Sequence, residues 1–333
     1  AGMARGLMPG QAAAALGLRR CMLSGLALLT LAGVAGGLVV PAVDPVAWLL
    51  ACRVLEGVGF LLAVMPAPGL IRRVAPPGME KRALGLWGAY MPGGVALGLL
   101  GGPWLIAAAG WRPWWWTVAA LSALATALIA ATVAADPVAP QRGGEPGAWS
   151  ARLGTTLGAA GPWSVALAFG LYSAQWMSVI GFLPTIYAQA GLAAGATAAL
   201  TALAAALNMV GNGLAGRLLQ SRWRPLRLLG LGFGCMVLGS VAAFAQVQGS
   251  GLPPALRHLA VCLFSMGGGA VPATLFMLSV RVAPGPQTVS TTVGLMQQAS
   301  SLGQFFAPPA VAWLAHRAGG WQWTWVGTVA CSL

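Results

Sequence analysis

Apolar residues fill this chain in long unbroken blocks, and polar positions gather between the blocks instead of alternating within them. Nine blocks reach the roughly 20 residues that a helix needs to cross a bilayer: 21–40, 46–66, 83–108, 113–134, 160–187, 195–216, 226–246, 256–279 and 287–313. Buried strands would be far shorter than this. Residues 1–16 read as the end of one more helix, and Trp321 to Leu333 as the start of another. The pattern predicts an all-α membrane protein with nine full transmembrane helices and two partial ones. Residue 1 is Ala and the first methionine is Met3, so the sequence reads as cut at both ends.

Composition strengthens this picture. The chain is 58% hydrophobic and only 7% charged, and its mean hydropathy is +0.79, whereas a soluble domain is about a quarter charged. With five carboxylates and two histidines in 333 residues, a catalytic cluster of ionisable groups is not expected, and no enzyme is predicted. Cys21, Cys52, Cys235, Cys262 and Cys331 are scattered through apolar blocks without metal-ligand spacing, which predicts buried apolar thiols and no metal or cofactor. The net charge of +13 lies beside apolar blocks and not on a polar domain, so it points to membrane orientation and not to nucleic acid.

The loops alternate in charge. One set carries Arg5, Arg19, Arg20, Arg72, Arg73, Lys81, Arg82, Arg142, Arg152, Arg217, Arg222, Arg224, Arg227 and Arg281, and the other only Arg112, Arg257 and Arg317. Fourteen against three places the first set in the cytoplasm. Trp48, Trp104, Trp111, Trp114, Trp115, Trp116, Trp313, Trp321, Trp323 and Trp325 gather at the charge-poor ends, as an interfacial aromatic belt would.

The chain also repeats itself. Arg73-Val74-Ala75-Pro76 recurs as Arg281-Val282-Ala283-Pro284, Gly85-Leu86 as Gly294-Leu295, and Gly110-Trp111 with Trp115 as Gly320-Trp321 with Trp325. Both copies place their arginine on the same side, so the repeat is parallel, an architecture recurrent in secondary transporters. Between the copies Asp136 to Gly158 is rich in Pro, Gly and charge, and reads as a cytoplasmic linker. The expected domains are an N-terminal bundle, 1–135, a linker, 136–158, and a C-terminal bundle, 159–333. Symmetry predicts one whole helix and part of the next upstream of residue 1.

On these residues the chain resembles the major facilitator superfamily. The family's basic motif matches in part at Gly10 to Arg20, through Gly17 and Arg19, with Ala14 where the family usually has aspartate. Its arginine-glycine motif matches at Arg53, Gly57 and Gly59, and its glycine-proline pattern partly at Gly94 to Pro103. The segments RVLEGVGFLLAVMPAPGLIRR, GLWGAYMPGGVAL and QWMSVIGFLPTIYAQAG look like the branch of cyanate and nitroimidazole porters. The resemblance implies two six-helix bundles that rock about a central solute site, with Arg19, Arg72, Arg73, Arg217 and Arg281 as cytoplasmic gate or orientation residues.

Arg53 and Glu56 lie inside an apolar block one helical turn apart, and ionisable groups at that depth are functional candidates. Shifted by 208 they fall on Val261 and Phe264, so the second copy has no such pair. The alternative is an arginine that snorkels with Glu56 as its neutralising partner. Tyr172, Gln175 and Trp176 share one helical face, Asn208 and Asn212 another. Gln297, Ser301 and Gln304 belong to a polar stripe that begins at Ser290, Gln298 lies beside it, and Tyr90 is a further candidate. Each group suits either a solute site or hydrogen bonds between helices. Gly94, Gly98 and Gly102 predict a close helix contact, and Pro92, Pro103, Pro184, Pro272, Pro308 and Pro309 are expected to kink or end helices.

The expected function is secondary active transport of a small polar or anionic solute by alternating access, with Glu56 as the available proton carrier. The protein is expected to be a monomer in a bacterial inner membrane whose partners are the solute and the bilayer. A passive channel, an efflux carrier for a small organic compound and a truncated, non-transporting chain are the alternatives.

Overall fold

The computed structural model describes residues 17–38, 44–77, 79, 83, 87, 90–136, 148–246 and 251–333. Among these the regular structure is helical: α1 (Leu18–Gly37), α2 (Pro45–Val64), α3 (Ala67–Val74), α4 (Tyr90–Ala109), α5 (Trp111–Thr132), α6 (Ala148–Leu157), α7 (Ala160–Gln189), α8 (Ala194–Gln220), α9 (Pro225–Phe244), α10 (Pro254–Gly268), α11 (Ala270–Val282), α12 (Val289–Arg317) and α13 (Thr324–Ser332). Hydrocarbon offers the backbone no hydrogen-bond partner, so each apolar block satisfies its own N–H and C=O groups as a helix.

Eight of these spans are long and apolar enough to cross a membrane, with α2 and α3 forming one (Pro45–Val74) and α10 and α11 another (Pro254–Val282). The ninth predicted span is α12. It has the length, at 29 residues, and the polar stripe lowers its apolarity. The expected helix at the start of the chain, and the basic motif from Gly10 to Leu16, fall outside the described residues. Of the predicted linker, Asp136 and helix α6 are described.

Pro103 lies inside α4, Pro184 inside α7, and Pro308 and Pro309 inside α12, so these prolines do not end their helices. The break between α10 and α11 falls at Gly269, three residues before Pro272. Proline at the first helical position opens α2, α9 and α10, where its missing N–H leaves no bond unmade.

The chain divides into two compact units, 1–87 with 102–148, and 88–101 with 149–333. In the first unit α1 packs on α2 and α5. A Cβ on Gly25 would stand 2.6 Å from the Gly59 carbonyl oxygen, and one on Gly59 2.8 Å from that of Gly25. Only two glycines permit this approach, which in a bilayer supplies the packing that apolar association lacks.

In the second unit the main core gathers Phe169, Tyr172, Trp176, Val179, Ile180, Leu183, Met236, Phe264, Leu275 and Met296 from α7, α9, α10, α11 and α12. The repeat is visible in three dimensions. Gly25 and Gly59 correspond to Gly232 and Gly267, at offsets of 207 and 208. A Cβ on Gly232 would lie 3.2 Å from the Gly267 carbonyl and 2.8 Å from Val271 Cγ2, the residue equivalent to Ala63 beside Gly25. The helix crossing α1–α2 is thus built again as α9–α10. Gly110 and Gly320, the repeated glycine-tryptophan positions, both have positive φ, 84° and 153°.

Candidate functional site

In the first unit Arg53 and Glu56 meet one helical turn apart, the pairing that a snorkelling arginine with a neutralising carboxylate would also make. Arg53 Nη1 donates to Glu56 Oε2 at 2.6 Å, and the Glu56 side chain is 19% exposed against 62% for Arg53. The third partner comes from α5, where the Trp115 ring lies 4.3 Å from the guanidinium carbon. Gly36 on α1 leaves the space that this indole fills, since a Cβ there would overlap the ring. Cys52, Gly59 and Ala63 are the buried face of α2, and Glu56 sits beside that face while Arg53 lies at its edge. The result is an arginine with one carboxylate and one aromatic face, and most of its donors still open.

A second polar cluster stands at the start of α1. Gly17, at φ +91°, has no side chain with which to cap the helix. The amides of Arg19 and Arg20 instead donate to Asp136 at 3.0 and 2.9 Å. These are the second and third helical positions, the ones that an N-cap side chain normally satisfies. Arg73 Nη1 donates to the same carboxylate at 2.7 Å, while Arg73 Nη2 and Arg19 Nη2 bond the carbonyls of Ala134 and Ala130. Burial of the Asp136 carboxyl works to raise its pKa. The amides of Arg20 and Arg19 and the Arg73 guanidinium outweigh it and hold the group below the usual carboxylate value. The sequence pattern read Asp136 as a linker residue, and it is the hub of this cluster. Arg72, Arg217 and Arg281 are exposed.

In the second unit the predicted polar residues lie in three chains of contacts. Tyr172 and Asn208 exchange hydrogen bonds at 3.2 and 3.1 Å, and Asn208 Nδ2 also donates to the Ser265 carbonyl at 2.8 Å. Trp176 Nε1 donates to Ser265 Oγ at 3.1 Å, which ties α7 to α10. Gln175, on the same face of α7, reaches elsewhere. Its Oε1 accepts from Ser332 on α13 at 3.1 Å, and its Nε2 is buried without a partner among the described residues. Gln304 Nε2 donates to Ser300 Oγ, and that hydroxyl donates to Ser173 at 2.7 Å.

The stripe on α12 therefore splits. Tyr90 hydrogen-bonds Gln297, Gln298 is half-buried, and Ser290 and Ser301 are exposed. Asn212 sits against the backbone turn at Gly269, whose Cβ position lies 2.8 Å from the Asn212 nitrogen. The sequence missed Ser173, Ser265 and Ser300, because a serine inside an apolar helix carries no periodic signal. It also missed the pairing of Tyr187 with His258, whose hydroxyl and Nδ1 lie 2.7 Å apart. His258 is held by α7 as well as by its own helix, and Cys262 Sγ lies 3.5 Å from Nε2.

These arrangements place hydrogen-bond donors and acceptors within otherwise apolar helices. Among the described residues no three His, Cys, Asp or Glu side chains gather where they could hold a metal. Structural comparison finds the same helical fold in transporters of known structure. A crystal structure of the Escherichia coli fucose:proton symporter FucP, in a point-variant form, matches with a TM-score of 0.70 at 16% identity, over 98% of this chain and 84% of that one. The proton:xylose symporter XylE bound to 6-bromo-6-deoxy-D-glucose matches with a TM-score of 0.72 at 15% identity, over 99% and 81%. Xylose transporter XylE from E. coli in a partially occluded inward-open conformation matches with a TM-score of 0.69 at 15% identity, over 99% and 82%. A sequence search among curated proteins finds no match. The sequence profile of the Major Facilitator Superfamily matches residues 2–308, nearly the whole chain. The chain belongs to the major facilitator superfamily, whose members are membrane transporters of small solutes and not enzymes.

Proposed function

We propose that this protein is a secondary active transporter of a small polar or anionic solute, working by alternating access in a bacterial inner membrane with its arginine-rich loops in the cytoplasm. The observation that carries this reading is Arg53. It is a guanidinium on an apolar helix, paired with one carboxylate and stacked on Trp115, with donors left to take a bidentate anion. Glu56 neutralises Arg53 when the site is empty. It is also the carboxylate that could carry a coupling proton while the solute holds the arginine. The resemblance to cyanate and nitroimidazole porters supports a small anion or polar heterocycle.

A second reading is a hydroxyl-rich neutral solute, as the named substrates of the structural neighbours are sugars. The buried, unpartnered Gln175 Nε2 favours it, because an amide donor in a dry site gains a full hydrogen bond from a hydroxyl.

Proteoliposome counterflow tests the class, since an outward gradient of unlabelled solute drives label inward through a carrier and not through a channel. Competition by small anions and by monosaccharides separates the two solute classes. Uptake that is unchanged in Arg53→Ala would remove Arg53 from the site.

A further inference from the structure

Helix α8 ends in an unusual way. Ser221 N–H bonds the Arg217 carbonyl at 3.0 Å and Trp223 N–H bonds that of Leu218 at 3.1 Å. Between them Arg222 takes φ +63°. This is the closed helix terminus whose left-handed position normally goes to glycine, because any Cβ there is crowded. Arg222 is the only non-glycine residue with positive φ among those described. The chain tolerates that crowding where a glycine would serve the turn better, and what it gains is a guanidinium at this point. Positions where a local rule is broken are expected to be functional or strained.

What surrounds it supplies the second observation. Arg222, Trp223, Arg224 and Arg227 line a concavity of about 260 Å³, large against the ~30 Å³ share of one water. The ion pairs among the described residues are Arg53–Glu56 and Arg73–Asp136, so no described carboxylate pairs with this cradle. Planar guanidinium forks match the oxygens of a phosphate. Trp223, 44% exposed, and Leu226, 76% exposed, stand within the same turn and offer apolar surface to the layer just below a headgroup. A free phosphate would have no use for that surface, and an acyl-linked one would.

We propose that the turn from Arg222 to Arg227 binds the phosphodiester headgroup of an anionic phospholipid in the leaflet on the arginine-rich side. The three guanidinium groups hold the phosphate, Trp223 lies at the headgroup level, and Leu226 contacts the acyl chain. The site depends on the protein lying in a bilayer and not on the transport reading, and it can be measured with no solute present.

The test is binding of phosphatidylglycerol and of phosphatidylcholine to the full chain in neutral detergent, followed by native mass spectrometry. Phosphatidylglycerol is expected to bind in preference, less so as salt rises. Arg222→Gln, Arg224→Gln and Arg227→Gln should each weaken it about fivefold. Arg222→Gly should weaken it equally while its melting temperature stays level or rises, because glycine relieves the left-handed position. That variant separates lost binding from lost folding. An equal loss in Arg281→Gln would make the effect one of diffuse charge and overturn the site. So would unchanged phosphatidylglycerol binding in the cradle variants. Displacement of phosphatidylglycerol by equimolar inorganic phosphate would show a site for a soluble anion and overturn the lipid assignment.

Discussion

One helix crossing is built twice in this protein, with opposite chemistry. In the first copy Gly25 meets Gly59, and within the two turns before that contact α2 carries Arg53 and Glu56. In the second Gly232 meets Gly267, and the matching residues of α10 are Val261 and Phe264, 3% and 0% exposed. The tryptophan that lies under Arg53 has its own counterpart in Trp325, which packs against the core containing Val261. The backbone geometry tolerates either content, so geometry did not require the charges. What differs is burial. The first copy leaves Arg53 open, and the second closes over its equivalent. A crossing can be copied for strength and then left open on one side for chemistry.

The largest effect should come from erasing the difference. Val261→Arg with Phe264→Glu would place the ion pair of the first copy in a closed core. An intramembrane charge costs about 2.5–3.5 kcal/mol even on insertion scales, so the double variant should lose its folded yield in size-exclusion chromatography. Normal yield would mean that the second crossing is as open as the first. Next come the glycines. Gly59→Val and Gly267→Val should each destabilise by about 1–3 kcal/mol through overpacking. Similar falls in melting temperature for the two would confirm the shared crossing, and an effect confined to one would break it.

Smaller still is Trp115→Leu, which leaves the ion pair and removes the aromatic face. A cation–π contact of about 0.5–2 kcal/mol predicts a rise of a few-fold in the KM for transport, with the amount of protein in the membrane unchanged. A variant that matches wild type would show that Arg53 needs no positioning from α5. Comparable in size, Asp136→Asn touches neither glycine crossing. Because hydrogen bonds and Arg73 hold the Asp136 carboxyl below its usual range, its stabilisation is complete above that range. It is lost as pH falls through the lowered native value. Thermal melts should show the variant less stable at neutral pH by about 0.5–2 kcal/mol, the worth of a helix cap. The gap should close in acid, and a gap that persists there would mean that the charge is not what Asp136 contributes.

The spans were legible because an apolar block of bilayer length has no other stable form, and the repeat because parallel copies keep their turn residues. Arg53 and Glu56 were legible as a pair because three residues apart on a helix is already contact. Trp115 was not, since its place depends on the room left by Gly36 in another helix. The polar face of α7 was correctly seen as polar, yet Tyr172, Gln175 and Trp176 go to α8, α13 and α10 in turn. Periodicity gives the direction a side chain takes and not the partner it finds. Asp136 was the least legible residue, because a carboxylate in a Pro- and Gly-rich stretch has the composition of a loop whatever it touches.

The cap on α1 has a consequence in time. Asp136 closes an end of a helix by accepting from the Arg19 amide, 117 residues earlier, so that end is made before its cap exists. At about 5–20 residues per second the ribosome needs roughly 6–23 s to pass from one to the other. During that interval the Arg19 and Arg20 amides must be served by water or by lipid headgroups, and α1 cannot take its final hold. Completion of this cap therefore waits on the residues that follow α5, and the stretch after Asp136 is synthesised only once the capping carboxylate is in hand.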